Sequence, residues 1–132
     1  MRILVADDND IVRRGVIGIL SSQPGWEICG EAKDGAEALQ KARELQPDLV
    51  LLDVSMPVLN GLEAARLVRQ EIPDAKILVM SQHDPVQLLP RVIQMGGDAC
   101  VDKSRLGMDL LASIKKIERV SGAATGRPAS IS

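Results

Sequence analysis

Three stretches of the chain are apolar without alternation: Ile3-Leu4-Val5-Ala6, Leu49-Val50-Leu51-Leu52 and Ile77-Leu78-Val79-Met80. Short continuous runs of this kind suit strands covered on both faces, as in a parallel sheet. Trp26-Glu27-Ile28-Cys29 and Asp98 to Asp102 read as a shorter second strand and a weaker fifth one. Between the runs, apolar residues recur at helical spacing: Val12, Val16, Ile19 and Leu20; Ala38, Leu39, Ala42 and Leu45; Leu62, Ala65 and Val68; Leu106, Leu110, Leu111, Ile114 and Ile117. Asn9 or Asp10 can cap the first of these helices, and Gln23-Pro24-Gly25 closes it. Asp34-Gly35-Ala36-Glu37 and Asn60-Gly61-Leu62-Glu63 each place a capping residue three positions before a glutamate, the pattern of a capping box. Pro47 and Pro73 stop the helices they open. The segment from Pro85 to Met95 is less regular, because Pro90 removes a donor and clashes one turn back, at about 3 kcal/mol in a helix interior. This fourth helix is therefore expected to start late, near Leu89, or to be kinked.

Strand and helix thus alternate five times, with connections that fit right-handed crossovers. The expected fold class is α/β: a doubly wound, five-stranded parallel sheet between two layers of helices. At 132 residues the chain is one domain, expected over residues 1–120. From Ser121 the composition shifts to Gly, Ala, Ser, Thr and Pro, so residues 121–132 are expected to be a flexible tail or a truncated linker. Net charge is −2, which argues against nucleic acid or a membrane surface as this domain's direct partner. Trp26 is the lone aromatic residue, so base stacking has little to work with. The run Ile3–Ala6 is cut by Asp7 and Asp8, far short of the roughly 18 residues of a membrane span, and the cytoplasm is the expected location. Neither a G-x-G-x-x-G nor a Walker P-loop occurs.

Candidate chemistry lies at the strand ends. In open α/β sheets the ligand crevice lies beyond the carboxyl ends of the strands. Four expected strands end in Asp7-Asp8, Asp53, Ser81 and Lys103. Carboxylates brought that close raise one another's pKa unless a cation intervenes. Mg²⁺, or Mn²⁺ in its place, suits such a set of oxygen ligands and keeps water at its other positions. A divalent ion beside a lysine is a site able to accept a phosphoryl group.

On these residues, together with Val54-Ser55-Met56-Pro57 and Asn60-Gly61, the chain resembles the receiver domain of bacterial two-component response regulators. Trp26-Glu27, Asp34-Gly35 and Ser55-Met56-Pro57 are similar to receivers of the NarL/FixJ type, in which a DNA-binding helix-turn-helix normally follows. The resemblance implies a flavodoxin-like sheet of order 2-1-3-4-5. It implies Asp53 as phosphoacceptor, Asp8 and the Ser55 carbonyl as direct Mg²⁺ ligands, and Asp7 as a ligand through water. It further implies that Lys103 pairs with phosphoryl oxygens and that Ser81 turns inward to hydrogen-bond one. Ser55 and His83 become candidates for tuning the phosphoryl lifetime. The implied partners are a sensor histidine kinase as donor and, downstream, another protein or a second copy of the chain. Its catalysis would extend no further than its own phosphoryl transfer and dephosphorylation.

The resemblance is imperfect at Cys100, where the family usually carries Tyr or Phe as part of the switch. A small buried residue is the plainer account of Cys100, and of Cys29, than a redox pair. The second and fifth strands would lie roughly 19 Å apart at about 4.8 Å per strand, against under about 7 Å between Cα atoms for a disulfide. His83 reads first as a surface-loop histidine. Two rivals compete with the receiver. A haloacid-dehalogenase-like phosphohydrolase would use Asp8 of Asp8-Asn9-Asp10 as nucleophile, but the threonine it expects is Val12. A flavin-binding domain would need aromatic residues that the chain lacks.

Overall fold

The computed structural model describes residues 1–125, with side chains through residue 119. Five strands and five helices alternate along the chain: β1 (Arg2–Ala6), α1 (Asp10–Ser21), β2 (Glu27–Ala32), α2 (Gly35–Leu45), β3 (Leu49–Asp53), α3 (Gly61–Glu71), β4 (Lys76–Ser81), α4 (Pro85–Gln94), β5 (Ala99–Asp102) and α5 (Leu106–Thr125). All pairings are parallel and the strand order is β2-β1-β3-β4-β5, the order expected. The apolar runs split by the period-two geometry of a strand into two cores. Leu4, Ala6, Val50, Leu52, Ile77 and Val79 face α2, α3 and α4. Ile3, Val5, Leu49, Leu51, Leu78 and Met80 face α1 and α5. Continuous hydrophobicity was needed because both faces are covered.

The helix starts are chemically simple. Asn9 caps α1 by accepting from the Ile11 and Val12 amides, and Asp34 caps α2 by accepting from Glu37. Glu37 returns a bond to the amide of Lys33, one residue earlier than an ordinary capping box. At α3 the Asn60 amide group also donates to the Glu63 carboxylate at 2.8 Å. At the far end of α2, Gln46 takes the left-handed conformation at φ 49° just before Pro47.

Three boundaries differ from expectation. β2 runs on through Gly30 to Ala32, since pairing with β1 recruits residues with little strand preference of their own. α4 begins at Pro85, not near Leu89, because Asp84 caps it by accepting from the Val86 amide and Pro85 fills a first-turn position that suits proline. Pro90 sits inside this helix, and Val86, whose carbonyl loses that donor, is 78 % exposed and open to water. α5 continues to Thr125, past the expected start of the tail; the remainder of that segment, residues 126–132, lies outside the described residues.

Candidate functional site: an acid cluster held by one lysine

The order of the sheet brings the strand ends together. β1 and β3 are neighbours, with Ala6 paired to Leu52, so Asp7 and Asp53 leave the sheet side by side. Both are enclosed: Asp7 is 0 % and Asp53 3 % exposed, whereas Asp8 is exposed. One carboxylate oxygen from each of Asp7, Asp8 and Asp53 lies within 4.8 Å of the others. Lys103 reaches over from the end of β5, its ammonium 2.9 Å from Asp7 Oδ2 and 3.3 Å from Asp53 Oδ2. Asp102 steers it there, because its carboxylate accepts from both the amide and the hydroxyl of Ser104 and so shapes the short 3-10 turn Lys103–Arg105.

The electrostatics follow from burial. Removal from water, and next the charge of Asp7, raise the pKa of Asp53 above its ordinary value; Lys103 and the Ser55 amide pull it back only in part. For Lys103, burial is the largest single influence and acts downward, but the combined pull of Asp7 and Asp53 leaves its pKa raised. One ammonium thus pairs with two of the three clustered carboxylates. Asp7 Oδ2 is buried and accepts no hydrogen bond, so its contact with Lys103 is an ion pair lacking hydrogen-bond geometry. A buried carboxylate oxygen whose ammonium neighbour lacks hydrogen-bond geometry, within a set of hard carboxylate donors, fits a small divalent cation such as Mg²⁺.

The other residues singled out from the sequence are placed as follows. Ser81 is buried at the end of β4, and its hydroxyl accepts from the His83 amide at 2.9 Å. His83 therefore joins the site through its backbone, while the residue is exposed. Ser55 donates its amide to Asp53 Oδ1 at 3.3 Å. Cys100 is half-buried on β5 against the α2, α3 and α4 core, and burial pushes its thiol up to about 11. Both cysteines are free, on opposite edge strands. Sequence reasoning missed Arg13, a buried guanidinium in α1 whose Nη1 donates to the Asp7 carbonyl at 2.8 Å. The signal was available: position 13 lies three before Val16 and seven before Leu20, on the buried stripe of α1.

The sequence profile of the response regulator receiver domain matches residues 3–115. The chain belongs to this family. Among relatives, the response regulator GacA of Pseudomonas viridiflava is 36 % identical over 117 residues, covering 89 % of this chain and 55 % of GacA. The response regulator protein VraR of Staphylococcus saprophyticus is 32 % identical, covering 88 % of this chain and 56 % of VraR. The receiver thus spans about half the length of the curated relatives it matches. Solved structures agree: the signal receiver domain of NarL from Mycobacterium tuberculosis superimposes with TM-score 0.80 at 31 % identity, over 96 % of this chain and 97 % of that one. The response regulator domain of Thermotoga maritima CheB gives TM-score 0.80 at 30 % identity, over 88 % and 94 % of the two chains. The fold is the flavodoxin-like receiver fold. Among the described residues of this receiver, no helix is long and apolar enough to cross a membrane.

Proposed function

We propose that this receiver is a phosphorylation switch that takes a phosphoryl group onto Asp53 from the phosphohistidine of a sensor histidine kinase. The observation that supports it most is the position of Lys103, within ion-pair distance of both Asp7 and Asp53. Asp53 attacks phosphorus in line through a carboxylate oxygen; the P–N bond to the donor imidazole breaks and an acyl phosphate forms. Burial and Asp7 raise the proton affinity of Asp53, which makes its carboxylate a stronger nucleophile, while Lys103 offsets part of that rise. Asp8, Asp53 and the Ser55 carbonyl are assigned to Mg²⁺ or Mn²⁺, with Asp7 acting through water. When bound, the cation supplies positive charge for the phosphoryl oxygens and offsets the repulsion among the carboxylates. Lys103 takes the remaining phosphoryl charge. Ser81 releases the His83 amide and turns to the phosphoryl group, and Ser55 and His83 flank the path of a hydrolytic water. Cys100 stands where an aromatic ring would report that movement, so the readout here proceeds without one.

Relatives that carry the name transcriptional regulatory protein, such as DegU of Brevibacillus brevis, support a role as the regulatory part of a longer DNA-binding regulator. Output would then pass to an attached domain or through a second copy of the chain, in the cytoplasm, with no nucleic acid bound by the receiver itself. The hydrolase alternative finds no support: its nucleophile would be the exposed Asp8, and the family match is to receivers. Incubation with acetyl phosphate and Mg²⁺, followed by borohydride trapping, tests the choice. Label on Asp53 that is lost in Asp53→Asn is the expected result. Label on Asp8 would overturn it.

A further inference from the structure

The buried polar residues among those described are Asp7, Arg13, Asp53 and Ser81. Three belong to the site above; Arg13 does not. It stands one turn into α1 with its side chain 8 % exposed. All three arms of the guanidinium are engaged: Nη1 on the Asp7 carbonyl at 2.8 Å, Nη2 on Asp10 Oδ1 at 2.6 Å and Nε on Glu31 Oε1 at 2.8 Å. Burying a charge is costly unless its partners are well placed, and an apolar residue would suit this helix face beside Val16 and Leu20. What the arginine provides is a fixed Asp7 carbonyl.

That carbonyl belongs to the peptide plane joining Asp7 to Asp8. Pinning its oxygen stops rotation of the plane and so sets the direction in which the Asp8 side chain leaves the backbone. Other bonds brace the same turn: the Asp7 amide on the Ala32 carbonyl at 3.0 Å and the Asn9 amide on Asp7 Oδ1 at 2.8 Å. Asp8 itself has no ion pair among the described residues, and its carboxylate nonetheless meets those of Asp7 and Asp53. Its aim is inherited from the backbone beneath it.

We propose that Arg13 is a positioning residue of the cation site, holding the Asp7–Asp8 turn so that the three carboxylates converge and thereby setting the affinity for Mg²⁺. This rests on the receiver reading of the site. Geometry and charge make opposite predictions. Asp10 and Glu31 neutralise Arg13 locally, and deleting it leaves two more unpaired acids near the cluster, which by field alone would tighten divalent-cation binding. Loss of positioning weakens it.

The test is calorimetric titration of the full chain with MgCl₂ in the wild type, Arg13→Met, Arg13→Lys and Asp8→Asn, with amide exchange at Asn9 followed by NMR without metal. The expected result is Mg²⁺ binding about 10-fold weaker in Arg13→Met, in the range typical of residues that orient metal ligands. Arg13→Lys, which keeps the charge but not the fork, should also bind more weakly, and the Asn9 amide should exchange faster in both. Unchanged or tighter Mg²⁺ binding by folded Arg13→Met, even with a lowered melting temperature, would overturn the proposal. If Arg13→Met does not fold, Arg13→Lys decides on the same terms. A wild-type chain that binds no Mg²⁺, or an affinity indifferent to Asp8→Asn, would instead overturn the proposed cation-assisted phosphoryl site on which the inference stands.

Discussion

Gly61 is pressed against the backbone of Asp53: a Cβ at position 61 would lie 2.2 Å from the Asp53 carbonyl oxygen and 2.7 Å from its carbonyl carbon. The Gly61 amide meanwhile donates to the Val54 carbonyl at 2.9 Å, so the acceptor strand and the start of α3 are stapled together. No side chain fits without moving Asp53. Gly61→Ala is expected to destabilise the fold by about 1–3 kcal/mol, the usual range for overpacking. It should also slow labelling of Asp53 by acetyl phosphate. A denaturant melt and a labelling time course of the same sample check both; a variant with wild-type melt and labelling would remove the staple from the account.

The raised pKa of Asp53 has a definite sign in stability. A carboxyl whose folded-state pKa lies above its unfolded value penalises the fold once it is ionised, and the penalty is relieved as pH falls through the folded-state value. Asp53→Asn should therefore raise the melting temperature of the metal-free protein near neutral pH, by a few degrees. Lys103 keeps Asp7 as its nearer partner, so the variant leaves no unpaired buried cation. The gain should shrink as pH falls through the raised pKa and vanish below the ordinary carboxylate value of 3.8. Thermal melts from neutral pH downward, in chelator, measure it; a gain that grows on acidification would contradict the assignment.

Val58 occupies the left-handed region at φ 70°. The Leu59 amide bonds back to the Pro57 carbonyl at 2.8 Å across it, which makes this a γ-turn of the rarer hand. The side chain is 82 % exposed and recovers nothing by packing. A β-branched residue in this conformation stores about 1–2 kcal/mol, of which glycine would return part after its own entropy cost. Val58→Gly is expected to stabilise the protein by about 0.5–1 kcal/mol in a urea melt. A destabilised variant would mean that the turn is not strained.

Ser81 and Lys103 supply the contacts on which a switch would depend. Charge-assisted hydrogen bonds contribute about 1.5–3 kcal/mol each, so the two together offer roughly 3–6 kcal/mol if made only after phosphorylation. Moving a two-state equilibrium from 1:99 to 99:1 takes about 5.5 kcal/mol. With so little margin, losing either contact should leave the switch incomplete. Ser81→Ala should accept phosphoryl groups as the wild type does, yet show a diminished phosphorylation-dependent shift in NMR spectra of β4 and α4. A full shift in the variant would place the switching energy elsewhere.

Much of this architecture is local in origin and so was visible along the chain. The runs at Ile3, Leu49 and Ile77 announce covered strands, and Asn9, Asp34 and Asn60 announce helix starts, because strand burial and capping use near neighbours. The errors came where partners are distant. Gly30 and Glu31 join β2 only because Leu4 and Val5 of β1 lie beside them. Arg13 looked like one more charge on a helix until its position over the Asp7 carbonyl was known.

By itself the sequence determined which segments become strands and helices, and that acid, hydroxyl and ammonium groups stand at the strand ends, since those facts depend on residues a few positions apart. Only the tertiary structure decided how closely the strand-end carboxylates meet, that Lys103 stands nearer Asp7 than Asp53, and that a buried arginine braces the acidic turn. The reason is physical: ion-pair distances and buried charges are set by the packing of segments far apart in the chain, and no local pattern encodes a distance.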